Sequence, residues 1–164
     1  MAPHLVTFAL NVRRFPLRWL VGAACGLGST WVQAQSLANT GGLSFGSFVA
    51  GSGGTLAVSV TGARSKSGGV MLLSQGGIGS AAQFTVSGTA NATYGITLPP
   101  NGTVALSSGN STMAVNNFVS FPSGTGTLSG GGTQLLSLGA TLAVGNAQAP
   151  SSYTGSFSVT VNYN

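Results

Sequence analysis

Apolar residues alternate with Ser, Thr and Asn along much of the chain, and the closing stretch shows the pattern most fully. From Tyr153 to Asn164, Tyr153, Phe157, Val159, Val161 and Tyr163 stand on odd numbers, while even numbers carry only Thr, Ser and Asn. Successive strand side chains point to opposite faces, so this period of two predicts a single strand with one apolar and one polar face. Burying its large side chains is worth roughly 1.5–3 kcal/mol each. The strand therefore has to be covered, and these five residues form the candidate interaction strand.

The same reading applied upstream predicts about nine short strands and no sustained helical period. Leu43 to Val49 opens the series, followed by Thr55 to Thr61 with Leu56, Val58 and Val60 inward. Gly62 to Gly69 reads as a charged turn, and Val70 to Leu73 as a short apolar run. Phe84 and Val86 mark another strand, and Tyr94, Ile96 and Leu98 the next. Pro99-Pro100-Asn101-Gly102 predicts a tight hairpin to Val104 and Leu106, because Asn-Gly accepts positive φ. Thr112 to Phe121 carries Met113, Val115, Val119 and Phe121 on one predicted face. Leu135, Leu136 and Leu138 precede Ala140, Leu142 and Val144. Strands at this spacing predict an all-β, antiparallel sandwich, and no segment recurs at a fixed period as a solenoid or propeller requires.

The N-terminus has a different character. Residues 1–18 are basic, Trp19 to Val32 is apolar, and Val32-Gln33-Ala34 places small residues before Gln35. This order predicts a secretory signal peptide over residues 1–34, cleaved between Ala34 and Gln35. Residues 35–42 then form a short extension and residues 43–164 the folded domain. Lipoprotein anchoring at Cys25 is not expected, because the usual Leu three residues earlier is missing. Arg13-Arg14 is set in a poor context for a twin-arginine signal.

Charge narrows the functions further. The chain has no Asp or Glu and five Lys and Arg. Arg13, Arg14, Arg18, His4 and Cys25 all lie in the leader, so Arg64 and Lys66 are the charged side chains of the expected mature protein. Two cations make no phosphate-binding patch, which argues against nucleic acid. Without His, Cys, Asp or Glu after the leader, the expected protein has no metal site, no cofactor and no carboxylate-based catalysis. Lys66 between Ser65 and Ser67 is the one arrangement resembling a nucleophile with its base, and a solvated turn between two strands is the preferred reading. Gly77-Ile78-Gly79 with Ala82 has dinucleotide spacing without the helix or acidic residue that motif needs. Asn91, Asn101 and Asn110 begin glycosylation sequons, which count only in a host with that machinery.

Taken together, several short motifs resemble a bacterial family, domain of unknown function 4402. They are Leu43-Ser-Phe45-Gly46, Gly53-Gly54-Thr55, Arg64-Ser65, Gly68-Gly69-Val70, Phe84-Thr-Val86-Ser-Gly88 and Ala92-Thr93-Tyr94. Leu138 to Gly145, Gln148-Ala-Pro150 and Tyr153 to Tyr163 complete the match. The resemblance implies an immunoglobulin-like, pilin-like sandwich exported to the periplasm, cell surface or a fimbrium. It also implies a periplasmic chaperone, an usher and other fimbrial subunits as partners, with a donor strand entering beside the C-terminal strand. Main-chain bonds and alternate side-chain pockets would supply that affinity. Leu37 is the sole large apolar residue of the extension, so the chain is expected to accept a strand rather than donate one, as a terminal subunit or a self-completed monomer. Two other readings remain: a carbohydrate-binding surface module with a glycan or host-surface ligand on Tyr94, Tyr153 or Tyr163, and a small outer-membrane β-barrel.

Overall fold

The computed structural model describes residues 7–8, 35–74 and 77–163. The expected signal peptide, its Cys25 and Ala34 therefore lie outside the described residues, except for Thr7 and Phe8. The strands are β1 (Thr7–Phe8), β2 (Ser36–Gly41), β3 (Phe48–Val49), β4 (Gly54–Val58), β5 (Arg64–Gly68), β6 (Met71–Leu72) and β7 (Ala82–Ser87). They continue as β8 (Thr93–Thr97), β9 (Val104–Ser108), β10 (Ser111–Phe121), β11 (Thr125–Thr127), β12 (Thr133–Val144), β13 (Thr154–Gly155) and β14 (Thr160–Tyr163). Among the described residues there is no helix.

The architecture is an all-β sandwich whose larger layer is a nine-stranded sheet in the order β1-β13-β9-β10-β12-β4-β5, with β7 also on β12 and β2 on β7. A three-stranded sheet, β11-β8-β14, and the short pair β3-β6 complete it. All pairings are antiparallel except that of β1 with β13.

Strand β12 organises the larger sheet. Leu136, Leu138, Ala140, Leu142 and Val144 alternate inward and are buried, so one face of twelve residues feeds the core. Its first half pairs with β7 through Leu138↔Ala82, and its second half with β4 from Ala140↔Val58 onward. The exchange of neighbours falls at Gly139, where an added Cβ would collide with the Val58 carbonyl oxygen. A glycine is required because two backbones meet there. Leu56, Val58, Phe84, Val86, Leu106, Met113 and Val115 join from the same sheet, Tyr94 from the three-stranded one, Phe48 from the β3-β6 pair, and Leu43, Phe45 and Val70 from the connections.

Five predicted features take a different form. The turn at Gly62 to Gly69 contains β5, an edge strand too polar to show alternation. Residues 35–42 are no appendage, since β2 pairs with β7 through Leu37↔Val86. The Asn101-Gly102 turn, where Gly102 has φ of 80°, links strands of different sheets. The hairpin closes instead at Gly109-Asn110, between Ser108 and its partner Ser111. On β10, Met113 and Val115 face the core, but a bulge between Asn116 and Val119 reverses the faces beyond it. Val119 and Phe121 therefore point outward. The fifth feature is the C-terminal strand, which divides in two.

Candidate functional site

The ribbon from Tyr153 to Tyr163 passes from one sheet to the other. β13 pairs with β9 through Thr154↔Ser107, and β14 pairs with β8 through Thr160↔Thr97 to Tyr163↔Tyr94. The residues between are outside any ladder, so the ribbon is not the single predicted strand. Its facial pattern survives the break. Tyr153 and Phe157 are buried, and Val159, Val161 and Tyr163 pack half-buried against the core. Thr154, Ser156, Ser158 and Asn162 are exposed. An extended chain keeps its alternation whether or not its backbone is paired.

Each end of the ribbon is tied by a phenol. The Tyr153 hydroxyl donates to the Ala149 carbonyl at 2.8 Å and accepts from Gln148 Nε2 at 2.9 Å. A buried tyrosine bonded to backbone four residues upstream is the corner device by which sandwiches fix the entry to a strand. Tyr163 donates to the Ser87 carbonyl at 2.9 Å, with the Ser36 carbonyl at 3.5 Å. That joins β14 to the β7 and β2 backbones. In the middle, Phe157 packs on Phe118 with ring centroids 5.1 Å apart.

The Tyr163 ring lies 6.0 Å from that of Tyr94. The Tyr94 hydroxyl is 2.6 Å from Gln134 Oε1, to which it donates. Burial pushes the Tyr94 phenol above its usual range, and the neighbouring Tyr163 adds to this. Burial alone raises Tyr163. Both stay neutral donors at ordinary pH.

The ribbon also borders an edge. In the three-stranded sheet β14 is an end strand, with β8 as its neighbour. The outer side of β13 carries β1 in parallel register, Thr7 opposite Thr154 and Phe8 opposite Gly155. Two other edges, those of β5 and β2 in the larger sheet, are blunted. Lys66 stands in the middle of β5, and β2 carries an irregularity between Asn39 and Gly41, where Asn39 Oδ1 accepts the Gly41 N–H at 2.9 Å. A charged residue and a bulge are two ways a sheet edge is kept from pairing further. From Tyr153 to Tyr163 there is no charge and no proline.

The remaining candidates resolve simply. Lys66 pairs with Leu56, while Ser65 and Ser67 pair with Ala57 and Thr55 on the other face of the ladder, so lysine and serines project oppositely. Arg64 is a structural clamp. Its Nη1 donates to the carbonyls of Phe45 and Ser47 at 3.3 and 3.1 Å, and its Nη2 to that of Leu73 at 3.1 Å. Tyr94 and Tyr153 are 0% and 1% exposed, so neither offers a ring to a sugar. Gln35, exposed, stands immediately before β2. Sequence reasoning missed Phe121 as a surface residue. The paired asparagines at 116 and 117 were the one signal of the bulge that turns it out.

Searches of curated proteins and of solved structures return no match. The family comparison does match, over residues 36–163, the span from the first residue of β2 to the last of β14. The chain belongs to the family described as Domain of unknown function (DUF4402).

Proposed function

We propose that this protein is an exported, non-catalytic structural or adhesive subunit that accepts an extended strand along its C-terminal ribbon. The observation that carries the reading is the outer edge of that ribbon. It is uncharged and half-apolar, and at β13 it is occupied by Thr7–Phe8, two residues of the segment expected to be removed on export. Cleavage after Ala34 would take that strand away and leave the backbone donors and acceptors of β13 facing solvent. Strand addition restores main-chain hydrogen bonds, and alternate side chains of the incoming strand would meet Val159, Val161 and Tyr163. A periplasmic chaperone would hold this edge first and a neighbouring subunit later.

Composition supports the absence of catalysis. No carboxylate side chain exists in the sequence, and its one His and one Cys, His4 and Cys25, fall within the expected leader. The pairing of β2 with β7 supports the acceptor role, because the extension is already engaged in its own sheet. The barrel reading is disfavoured by sidedness: Leu56 and Val58 of β4, Phe84 and Val86 of β7, and Leu136, Leu138, Leu142 and Val144 of β12 point into the core, whereas a membrane barrel turns such residues to lipid.

The test is periplasmic expression of the processed chain, alone and with candidate chaperones, followed by titration with a synthetic peptide of alternating apolar residues. Recovery only in complex, with peptide-induced amide protection at residues 154–155 and 160–163, is the expected result. A monodisperse processed chain that ignores the peptide would sink the proposal.

A further inference from the structure

Asparagine is a chemically labile side chain, and how labile depends on the residue that follows it. Once the backbone N–H of that residue has given its proton to water or hydroxide, the nitrogen can attack the asparagine Cγ. A five-membered imide forms, the Cγ–Nδ2 bond breaks, and ammonia leaves. Water then opens the ring at either carbonyl, giving aspartate or isoaspartate, with no oxidant, metal or cofactor involved. A side chain on the following residue crowds the attacking nitrogen. Glycine, which has none, leaves it free to reach the carbonyl.

Of the asparagines that precede another residue, Asn101 alone precedes a glycine. The pair stands in an exposed turn between β8 and β9. Gly102 has φ of 80°, and nothing lies within 4 Å of the place its Cβ would take. Packing therefore does nothing to restrain the reactive pair.

Hydrogen bonds restrain it instead. The Gly102 N–H, which has to lose its proton before attack, donates to Asn116 Oδ1 at 2.8 Å. The carboxamide under attack is clasped by Asn117. Its Oδ1 accepts the Asn117 N–H at 2.7 Å, and its Nδ2 donates to Asn117 Oδ1 at 3.3 Å. Asn117 takes φ of 50° at the irregularity of β10 that begins at Asn116. Nucleophile and electrophile are thus held by neighbouring residues of one bulge, and attack requires both holds to break. A reaction that runs through a locally opened state proceeds in proportion to the time spent open.

We propose that Asn101 is a latent deamidation site, shut in the folded chain by Asn116 and Asn117 and open when its turn parts from β10. The aspartate it yields is a carboxylate in a chain that otherwise has no Asp or Glu. Such a group still accepts the Asn117 N–H but has no N–H to give Asn117 Oδ1, so two oxygens face each other and the clasp is not restored. Isoaspartate adds a methylene to the backbone of the turn and misplaces the Gly102 N–H as well. Reaction is therefore one-way, and each modified chain records an opening of the turn. The inference concerns a covalent change within this chain and does not depend on the strand-acceptor reading.

Peptide mapping by mass spectrometry during incubation in mildly alkaline buffer tests it. Conversion at position 101 should be at least about tenfold slower in the folded protein than in the same chain unfolded in guanidinium, as the loss of several hydrogen bonds implies. Asn116→Ala should accelerate it severalfold in the folded state. Asn116→Asp keeps an acceptor oxygen for the Gly102 N–H and should stay as slow as the parent. Asn110, exposed at the tip of the β9–β10 hairpin and followed by serine, reports general loosening and should convert at one rate in all three folded chains. A folded parent that reacts at position 101 as fast as the unfolded chain overturns the proposal, whatever the variants do. So does an Asn116→Ala chain that reacts no faster, or one whose acceleration is matched at Asn110 or reproduced by Asn116→Asp.

Discussion

The hydroxyl of Tyr163 donates to the carbonyl of Ser87, seventy-six positions earlier, at 2.9 Å. The smaller sheet is thereby fastened to the larger one at the end of the ribbon. Tyr163→Phe keeps the ring beside Tyr94 and removes the bond. The expected cost is about 1 kcal/mol of unfolding free energy, with faster amide exchange confined to residues 160–163. Uniformly faster exchange would mean that the bond supports the whole domain and not this strand.

At the other end, Tyr153 fixes the turn that leads into the ribbon. Tyr153→Phe should cost about 1 kcal/mol, because the Ala149 carbonyl and Gln148 amide both lose a part-buried partner. Gln148→Ala removes the bonds to the Tyr153 hydroxyl at 2.9 Å and to the Thr112 carbonyl at 3.3 Å, the latter exposed to water, but leaves the Tyr153–Ala149 bond in place, so it should cost less. Urea denaturation of the two variants checks the order, and the reverse order would assign the corner to the amide.

Arg64 and Lys66 separate a clamp from an ordinary edge charge. Arg64→Lys cannot span the carbonyls of Phe45, Ser47 and Leu73 with one ammonium, and hydrogen bonds from charged donors are the stronger class. A loss of about 2 kcal/mol is expected, while Lys66→Ala should stay within about 0.5 kcal/mol. Lys66→Ala should instead raise aggregation, because it unguards the β5 edge. Light scattering at fixed stability distinguishes the two effects.

How much of this was legible follows from what alternation can encode. The faces of β4, β7 and β12 were readable because each buries one side along an uninterrupted run, as in Leu136, Leu138, Ala140, Leu142 and Val144. A bulge adds one residue without changing composition, so alternation alone places Val119 and Phe121 on the face of Met113 and Val115. Asn101-Gly102 carried a genuine turn signal, but a turn residue specifies local φ and not which sheet the next strand joins. The polar β5 and the nearly polar β2 gave no signal, being held by neighbours rather than by their own burial. The ribbon was the intermediate case. Tyr153, Phe157, Val159, Val161 and Tyr163 do share the inward side, yet nothing in a period of two marks the step from β9 to β8.

Glycines offer a sharper contrast than most substitutions. At Gly126 an added Cβ would strike the Tyr94 ring and come within 2.8 Å of Gln134 Oε1, against the pair that Tyr94 and Gln134 form. Gly126→Ala should cost about 1–3 kcal/mol through overpacking. Gly130 has open space around its Cβ position and serves as the control, with Gly130→Ala expected within about 0.5 kcal/mol. Equal effects at the two positions would remove the steric explanation.

The pH dependence should be one-sided. Acid unfolding comes mostly from protonating carboxylates that the folded state holds ionised, and this sequence has no Asp or Glu to protonate. At the alkaline end, Tyr94 and Tyr163 both hold their protons more tightly in the fold than the usual phenol value of 10.0. A raised folded pKa contributes stability that is complete below the unfolded value and is lost as pH rises through the folded one. Urea midpoints should therefore be nearly level from about pH 3 to about pH 9, where no carboxylate or phenol side chain of this chain changes its charge appreciably, and fall beyond pH 10. Replacing both tyrosines with Phe should flatten the alkaline fall while lowering the plateau. A midpoint that drops in acid instead would require some group other than a side-chain carboxylate to gain a proton on unfolding.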